Sequence, residues 1–156
     1  MDLKDSGSRR EFDSGAVRDI QTGKGRCDLL PLDVVADIMH DTKLEAVAEF
    51  MRDADENHLF FAVRCYAIKN DLTLSDVMLA EAMHYEAGAK KYDERNWEKG
   101  IPVHCFIDSG VRHYLKHLRG DDDEPHGTAF VWNMLGAAWT CRHHPDLIDI
   151  PGACSA

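Results

Sequence analysis

The sequence lacks the features that define several protein classes. Its five cysteines are widely spaced and form no Cys-x-x-Cys pair, which argues against a disulfide framework and a cysteine-rich zinc site. Reduced thiols are typical of a cytosol-like compartment, so we expect a cytoplasmic protein. No apolar run is long enough for a signal peptide or a bilayer span, so we expect no membrane partner.

Basic residues are in the minority, with 18 lysines and arginines against 28 acids and a net charge of -10. A duplex nucleic-acid binder needs a basic footprint, so we expect no duplex nucleic acid as a partner. A small anion held in a local basic pocket, with a metal ion beside it, remains compatible with this charge. The length of 156 residues predicts one domain with a real core.

Strand alternation and internal repeats are also missing, and apolar residues instead recur at helical spacing. The fold class that we predict is all-α, an antiparallel helical bundle with an irregular, Gly-rich and basic N-terminal segment. We expect a flexible tail over 1–14, one domain over 15–145 and a C-terminal tail over 146–156. The predicted helices cover residues 32–40, 43–52, 56–69, 74–92, 102–118 and 125–142.

The helix predicted over 74–92 carries two acids among apolar neighbours. Glu86 shares a face with Leu79 and Met83, and Glu81 lies near other apolar side chains. A carboxylate in such surroundings is costly unless it is paired or binds a metal. The pattern favours Glu86 over Glu81 as a metal ligand or catalytic group, and a structural ion pair with Lys90 is the alternative for Glu86.

The helix predicted over 102–118 carries two polar pairs four residues apart. Asp108 and Arg112 lie at one edge of its apolar arc, where the pair is either structural or holds a phosphate. His113 and His117 lie further round, and two histidines at this spacing can share a metal. For His117 we prefer a place on the solvated face.

The last predicted helix is apolar from Ala129 to Trp139 except for Asn133. A helix that is apolar all round is buried, so Asn133 needs an internal partner. His126 and Thr140 lie on the same face, and Asp123-Glu124 precede the helix where its dipole favours anions. A core amide that fixes helix register is the alternative for Asn133.

Two further segments concern phosphate chemistry. The loop from Lys90 to Gly100 combines basic residues with aromatic ones, which suits a base and its phosphates, although Trp97 can equally anchor the core. Gly23-Lys24-Gly25-Arg26 resembles a phosphate-binding loop, but it lacks the GxxxxGK[ST] spacing and no strand precedes it. The His40-Asp41 dipeptide of metal phosphohydrolases is discounted because no histidine precedes it.

Taken together, these motifs resemble a phage and prophage family of dATP/dGTP diphosphohydrolases of the MazZ type. The resemblance rests on six motifs in order: Gly15–Asp19, Gly23–Pro31, Gly88–Gly100, Arg112-His113, Asp123–His126 and Trp132-Asn133. It implies hydrolysis of dGTP or dATP to the monophosphate and pyrophosphate, with Mg²⁺ or Mn²⁺. The helices over 36–75 look like an insertion that only part of the family carries.

The resemblance also suggests the broader all-α MazG-type pyrophosphohydrolases, which use ExxE and ExxD motifs on neighbouring helices. This chain departs from them, because Glu81-x-x-His84 and Glu86 stand where ExxE is expected and no clean ExxD occurs. A non-catalytic protein that binds or sequesters a nucleotide, and a helical interaction module, are the two alternatives. A homo-oligomer, dimer or higher, is compatible with the sequence.

The hypothesis assigns three sets of residues. As metal ligands it names Glu81, Glu86, Asp108, Asp123, Glu124 and His126. As catalytic residues it names Glu86, Glu124 and His113, with a carboxylate or His113 as the base. As substrate-binding residues it names Arg18, Lys24, Arg26, Lys90, Lys91, Tyr92, Arg95, Asn96, Trp97, Arg112 and Asn133.

Overall fold

The computed structural model describes residues 5–155, with side chains to residue 153, and its architecture is helical. This confirms the predicted all-α class. None of the helices in the described range combines the length and apolar character that a bilayer crossing requires. The six helices are α1 (Leu32–Met39), α2 (Thr42–Asp53), α3 (Glu56–Lys69), α4 (Leu74–Lys91), α5 (Val103–Arg119) and α6 (His126–His143).

Local chemistry explains where the helices begin and end. Thr73 opens α4 with a capping box, because its hydroxyl accepts from the Asp76 amide and the Asp76 carboxylate accepts from the Thr73 amide. Asp41 accepts from the amides of the first turn of α2 and also from the Tyr114 hydroxyl. Gly120 ends α5 with a φ of 89°, a left-handed conformation that glycine adopts without strain.

A short hairpin precedes the helices and corrects the predicted organisation of the N-terminus. Strand β1 (Arg9–Glu11) pairs antiparallel with β2 (Val17–Asp19), so that Arg10 faces Arg18. The predicted tail over 1–14 and irregular segment over 15–31 were therefore wrong where these strands form. The Asn96 side chain fixes β2, because it accepts from the Val17 amide at 2.8 Å and donates to the Val17 carbonyl at 2.7 Å.

The core forms mainly where α5 packs against α6, and α2 and α3 cover a further side. Glycines allow the close approach of α5 and α6, because a Cβ at Gly136 would overlap the ring of Phe106. Phe50 and Leu59 of α2 and α3 are fully buried. Residues after α6 also join the core, since Ile150 is buried within the segment predicted as a C-terminal tail.

Candidate active site

A cavity of about 580 Å³ lies between β2, α4, α5 and the start of α6. A volume of this size suits a small organic ligand. The short segment that follows α4 closes one side, and the loop after β2 closes another. Most of the predicted site residues line this cavity: Arg18, Lys24, Lys91, Tyr92, Arg95, Asn96, Trp97, Asp108, Arg112, His113, Glu124 and Asn133.

Two imidazoles and a carboxylate meet at one end of the cavity. His113 Nδ1 of α5 lies 2.9 Å from His126 Nδ1 at the start of α6. Glu124 completes a group in which one ligand atom from each residue lies within 4.8 Å of the others. His126 Nε2 lies 2.7 Å from Asp123 Oδ1, so the carboxylate fixes the orientation of the ring. Burial, followed by the nearby His126, lowers the pKa of His113 to about 3.

Arg112 and Asp108 form a buried ion pair that organises the glycine-rich loop. Arg112 Nη2 donates to Asp108 Oδ1 at 2.5 Å and to the Gly25 carbonyl at 2.7 Å. Asp108 Oδ1 also accepts from the Cys27 amide at 2.7 Å. Asp108 belongs to none of the potential metal-binding groups found in the described range. Its contacts make it a positioning residue for Arg112 and the loop rather than a metal ligand.

Arg18 extends from β2 into the interior beside Asn133. Its Nη2 donates to Asn133 Oδ1 at 3.2 Å, and Asn133 Nδ2 donates to the Ala129 carbonyl at 2.8 Å. The prediction that Asn133 is buried with internal partners is therefore confirmed. The guanidinium of Arg18 lies 5.5 Å from the ring centroid of Trp132, and desolvation by burial lowers its pKa. Its Nη1 has no hydrogen-bond partner in the described part of the chain.

An aromatic wall faces these cations. Tyr85 and Trp132 both line the cavity, and their ring centroids lie 5.9 Å apart. Trp97 packs edge-on against Tyr85 and against Trp139. It therefore supports the wall and also packs in the interior, which was the alternative role considered from the sequence. Gly88 lies beside the wall, and a Cβ there would meet no atom within 4 Å. The wall therefore borders open space.

Several other predicted binding residues already hold contacts within the fold. Lys24 Nζ lies 3.3 Å from Asp19 Oδ2, and Arg95 Nη1 lies 2.6 Å from Glu98 Oε1. The Arg9 guanidinium lies over the Tyr92 ring, and the Asn96 side chain is hydrogen-bonded to the backbone of Val17 in β2. These residues shape the cavity, and their own contacts limit how many polar groups they still offer to a ligand.

Some predicted site residues lie away from the cavity. Glu86 and Lys90 are exposed on α4, and neither lines the cavity nor forms the ion pair considered from the sequence within the described residues. Arg26 pairs with Asp28 through Nε and Nη2. Asp123 and His126 do not line the cavity, although His126 lies close to His113 and Glu124, which do.

Glu81 is buried on α4, whereas Glu86, which the sequence pattern favoured as a metal ligand or catalytic group, is exposed. The Glu81 side chain is 2% exposed, and neither carboxylate oxygen has a hydrogen-bond partner in the described range. Burial raises its pKa to about 8. Glu81 belongs to none of the potential metal-binding groups of the described residues.

Two other side-chain groups among the described residues have the spacing for a metal ion. Asp121, Asp123 and His126 form one, but Asp121 pairs with Arg119, and Asp123 faces the distal nitrogen of His126. The other is Glu49, Asp53 and His58 at the junction of α2 and α3, where Glu49 pairs with Arg52 and Asp53 with His58. Of these three groups found in the described range, only the one with His113 and Glu124 contributes side chains to the cavity wall.

Sequence reasoning missed several cavity residues. His84 lies next to Trp132, and Glu124 lies close enough to act on its pKa, which burial lowers. Lys116 follows Arg112 by one helical turn, so its spacing was a usable signal. Tyr85 and Arg10 carried none, because their positions depend on how α4 and the hairpin pack.

Comparison with known families gives the same result as the motifs. A family model described as dATP/dGTP diphosphohydrolase, N-terminal, matches residues 64–149, more than half of the chain. The chain belongs to the dATP/dGTP diphosphohydrolase family. No curated protein and no solved structure gives a significant match.

The dATP/dGTP diphosphohydrolase match covers α4, α5 and α6, and with them His113, Glu124 and His126. The hairpin and the loop around Gly25 lie before the matched range. The match begins at residue 64, which lies inside the helical segment predicted as an insertion over 36–75.

Proposed function

We propose that the chain hydrolyses a purine deoxynucleoside triphosphate, dGTP or dATP, to the monophosphate and pyrophosphate. The family supports this proposal. The observation that carries it is the cavity of about 580 Å³, which combines an aromatic wall, several cations and an imidazole–carboxylate group. These are the parts that recognise a base, neutralise a triphosphate and promote attack of water at phosphorus.

The purine base is expected to lie against Tyr85 and Trp132. Aromatic rings stack on a purine at a gain of about 1–3 kcal/mol, and the open space at Gly88 leaves room for it. Arg18 borders the same region, and its Nη1 has no hydrogen-bond partner within residues 5–153. A purine placed here directs its phosphates toward α5.

The phosphates are expected to lie along Arg112 and Lys116 of α5. Arg112 is held by Asp108 and Gly25, so it meets a phosphate with little loss of side-chain freedom. Its Nε has no partner among the described residues, and Lys116 lines the same cavity. Both cations would stabilise the negative charge that develops on the leaving pyrophosphate.

A divalent ion is part of the proposal, and the residues present fit one. His113, Glu124 and His126 would hold it, and when bound it would lower the pKa of a water molecule and polarise a phosphoryl oxygen. His113 was also considered as the base. Its low pKa and its contact with His126 suit a ligand better, because an efficient general base has a pKa near the working pH.

Glu124→Gln tests the proposal, because it removes the carboxylate while preserving size. We expect turnover of dGTP and dATP to fall at least about a hundredfold, since a charged group in the site is lost, with an unchanged far-UV circular dichroism spectrum. Asp122→Asn, at an exposed neighbour outside the cavity, is the matched control and should retain full activity. Full activity of the Glu124 variant would overturn the assignment.

A protein that binds a nucleotide without cleaving it is the second candidate. The observation in its favour is that Glu81 and Glu86 do not line the cavity, which leaves fewer acids there than the sequence pattern predicted. This candidate predicts recovery of intact nucleotide bound tightly without any divalent ion. The two candidates therefore differ in product formation and in the effect of EDTA.

We also propose a homo-oligomer that uses the outer face of α4. Leu79 and Met83 are 69% and 72% exposed on this helix, and Ile68 of α3 is 76% exposed. Leu79 and Met83 are four residues apart and share one face of α4, and large exposed apolar side chains on a common face mark interaction surfaces. Light scattering coupled to gel filtration measures the assembly, and Met83→Lys should shift an oligomer to monomer. A wild-type monomer at all concentrations would contradict the proposal.

A further inference from the structure

The group formed by His113, Glu124 and His126 is rich in nitrogen, which differs from the oxygen ligands expected for Mg²⁺. The two Nδ1 atoms lie 2.9 Å apart. Two imidazole nitrogens that bind one ion at about 2.1 Å lie about 3.0 Å apart at right angles and about 3.4 Å apart at the tetrahedral angle of zinc. The observed spacing therefore matches two adjacent positions around one ion.

The second nitrogen of His126 strengthens this interpretation. Its Nε2 lies 2.7 Å from Asp123 Oδ1, and a carboxylate there accepts a hydrogen bond from a protonated Nε2. Nδ1 of the neutral ring is then left as a lone pair, on the side that faces His113. A carboxylate on the distal nitrogen is the arrangement that orients histidines bound to metals.

Three chain segments converge to make this group. His113 belongs to α5, Glu124 to the loop that follows it, and His126 to the first turn of α6. His126 is 2% exposed, so its ring is held in place by the packing of α6. An ion bound here would join the two helices that form most of the core.

We propose that His113, His126 and Glu124 form a site that selects a transition-metal ion, such as Co²⁺ or Zn²⁺, over Mg²⁺. Imidazole suits these ions, whereas Mg²⁺ prefers oxygen ligands and retains its water. The inference deepens the proposed function, because the ion serves the same cavity. Binding itself is measured without substrate, so the two proposals can fail separately.

The experiment uses the full chain, stripped of metal with EDTA and dialysed. Co²⁺ is titrated in, and its visible absorption reports ligation, while a large excess of Mg²⁺ serves as competitor. We expect a saturable Co²⁺ spectrum that Mg²⁺ leaves in place. Absence of a Co²⁺ spectrum, or its loss at comparable Mg²⁺ concentrations, would overturn the proposal.

Variants locate the ion. His126→Ala should abolish the Co²⁺ spectrum, but this buried residue also supports the fold. Asp123→Asn changes an exposed side chain and should weaken Co²⁺ binding by about 10- to 100-fold, the usual effect of losing such an outer carboxylate. His58→Asn, in the separate group at α2 and α3, is the control and should leave affinity unchanged. Unchanged affinity in Asp123→Asn, or loss in His58→Asn, would refute the assignment.

The outcomes remain distinguishable from those for hydrolysis. Selective Co²⁺ binding without any nucleotide product would support this site and contradict the proposed function. Hydrolysis with Mg²⁺ and no Co²⁺ spectrum would support the function and contradict the site.

Discussion

Glu81 has a buried carboxyl group without a hydrogen-bond partner among the described residues, and we expect its burial to have a measurable effect on stability. Burial raises its pKa from 4.5 to about 8. Between these pH values the folded chain keeps a proton that the unfolded chain has released, so the free energy of unfolding falls as the pH rises. Each pKa unit corresponds to about 1.4 kcal/mol, so the loss reaches roughly 3 kcal/mol at pH 7.

The perturbation is Glu81→Gln, which preserves size and removes the titration. We expect equal stability of the variant and the wild type below pH 4.5, where both side chains are neutral. Near pH 7 the variant should be more stable by roughly 3 kcal/mol. Urea denaturation followed by circular dichroism, in EDTA and across this pH range, measures the difference.

Glu86→Gln is the matched control on the same helix, because its side chain is exposed, and its stability should follow the wild type at each pH. The reasoning fails if Glu81→Gln destabilises the protein at pH 7 while the wild type keeps its stability up to that pH. Such a result would mean that Glu81 is charged and paired in the folded state, as a metal ligand would be.

Three further predictions concern the cavity and the C-terminal segment. Gly88→Leu should fill the space beside Tyr85 and raise KM for dGTP at least about tenfold. Gly88→Ala should instead stabilise α4 by about 0.5–1 kcal/mol in thermal unfolding. An unchanged KM for the leucine variant would exclude base binding there. Lys116→Ala should lower kcat/KM by about 10- to 100-fold, because a charged hydrogen bond contributes about 1.5–3 kcal/mol, and steady-state kinetics that match the wild type would contradict phosphate binding at α5. The hydrogen bond to Asp149 is the main cause that raises the pKa of His104 from 6.5 to about 10, so the stability from this pair is fully present below pH 6.5 and is lost as the pH rises to about 10. Asp149→Asn should therefore lower the free energy of unfolding by about 1 kcal/mol at pH 6, after solvent screening, and by little above pH 10. An equal loss of stability at both pH values in denaturant melts would refute the pairing.

The helices were predictable because their signals are local. The α3 bounds predicted from apolar spacing and from the break after Lys69 agree with the structure. Thr73 and Gly120 act at the ends of α4 and α5 as their side-chain chemistry predicts. The strands were missed because three residues are too few to show alternation, and their pairing depends on Asn96, far along the chain.

The site was predictable in part. Asn133 stood out because a single polar residue in an apolar helix needs a partner, and Arg18 supplies it. Glu86 was favoured over Glu81 as a metal ligand or catalytic group, but Glu86 is exposed and Glu81 is buried. The pattern did not separate them, because α4 carries apolar side chains on both faces. Periodicity places residues on a common face but does not identify the face that packs inward. The meeting of His113 with His126 required the packing of α5 on α6.

The most direct test is product analysis by chromatography after incubation of dGTP and dATP with the metal-loaded protein. The account predicts monophosphate and pyrophosphate in equal amounts, formed from these purine nucleotides and abolished by EDTA. Intact triphosphates, or release of inorganic phosphate with a diphosphate product, would contradict it.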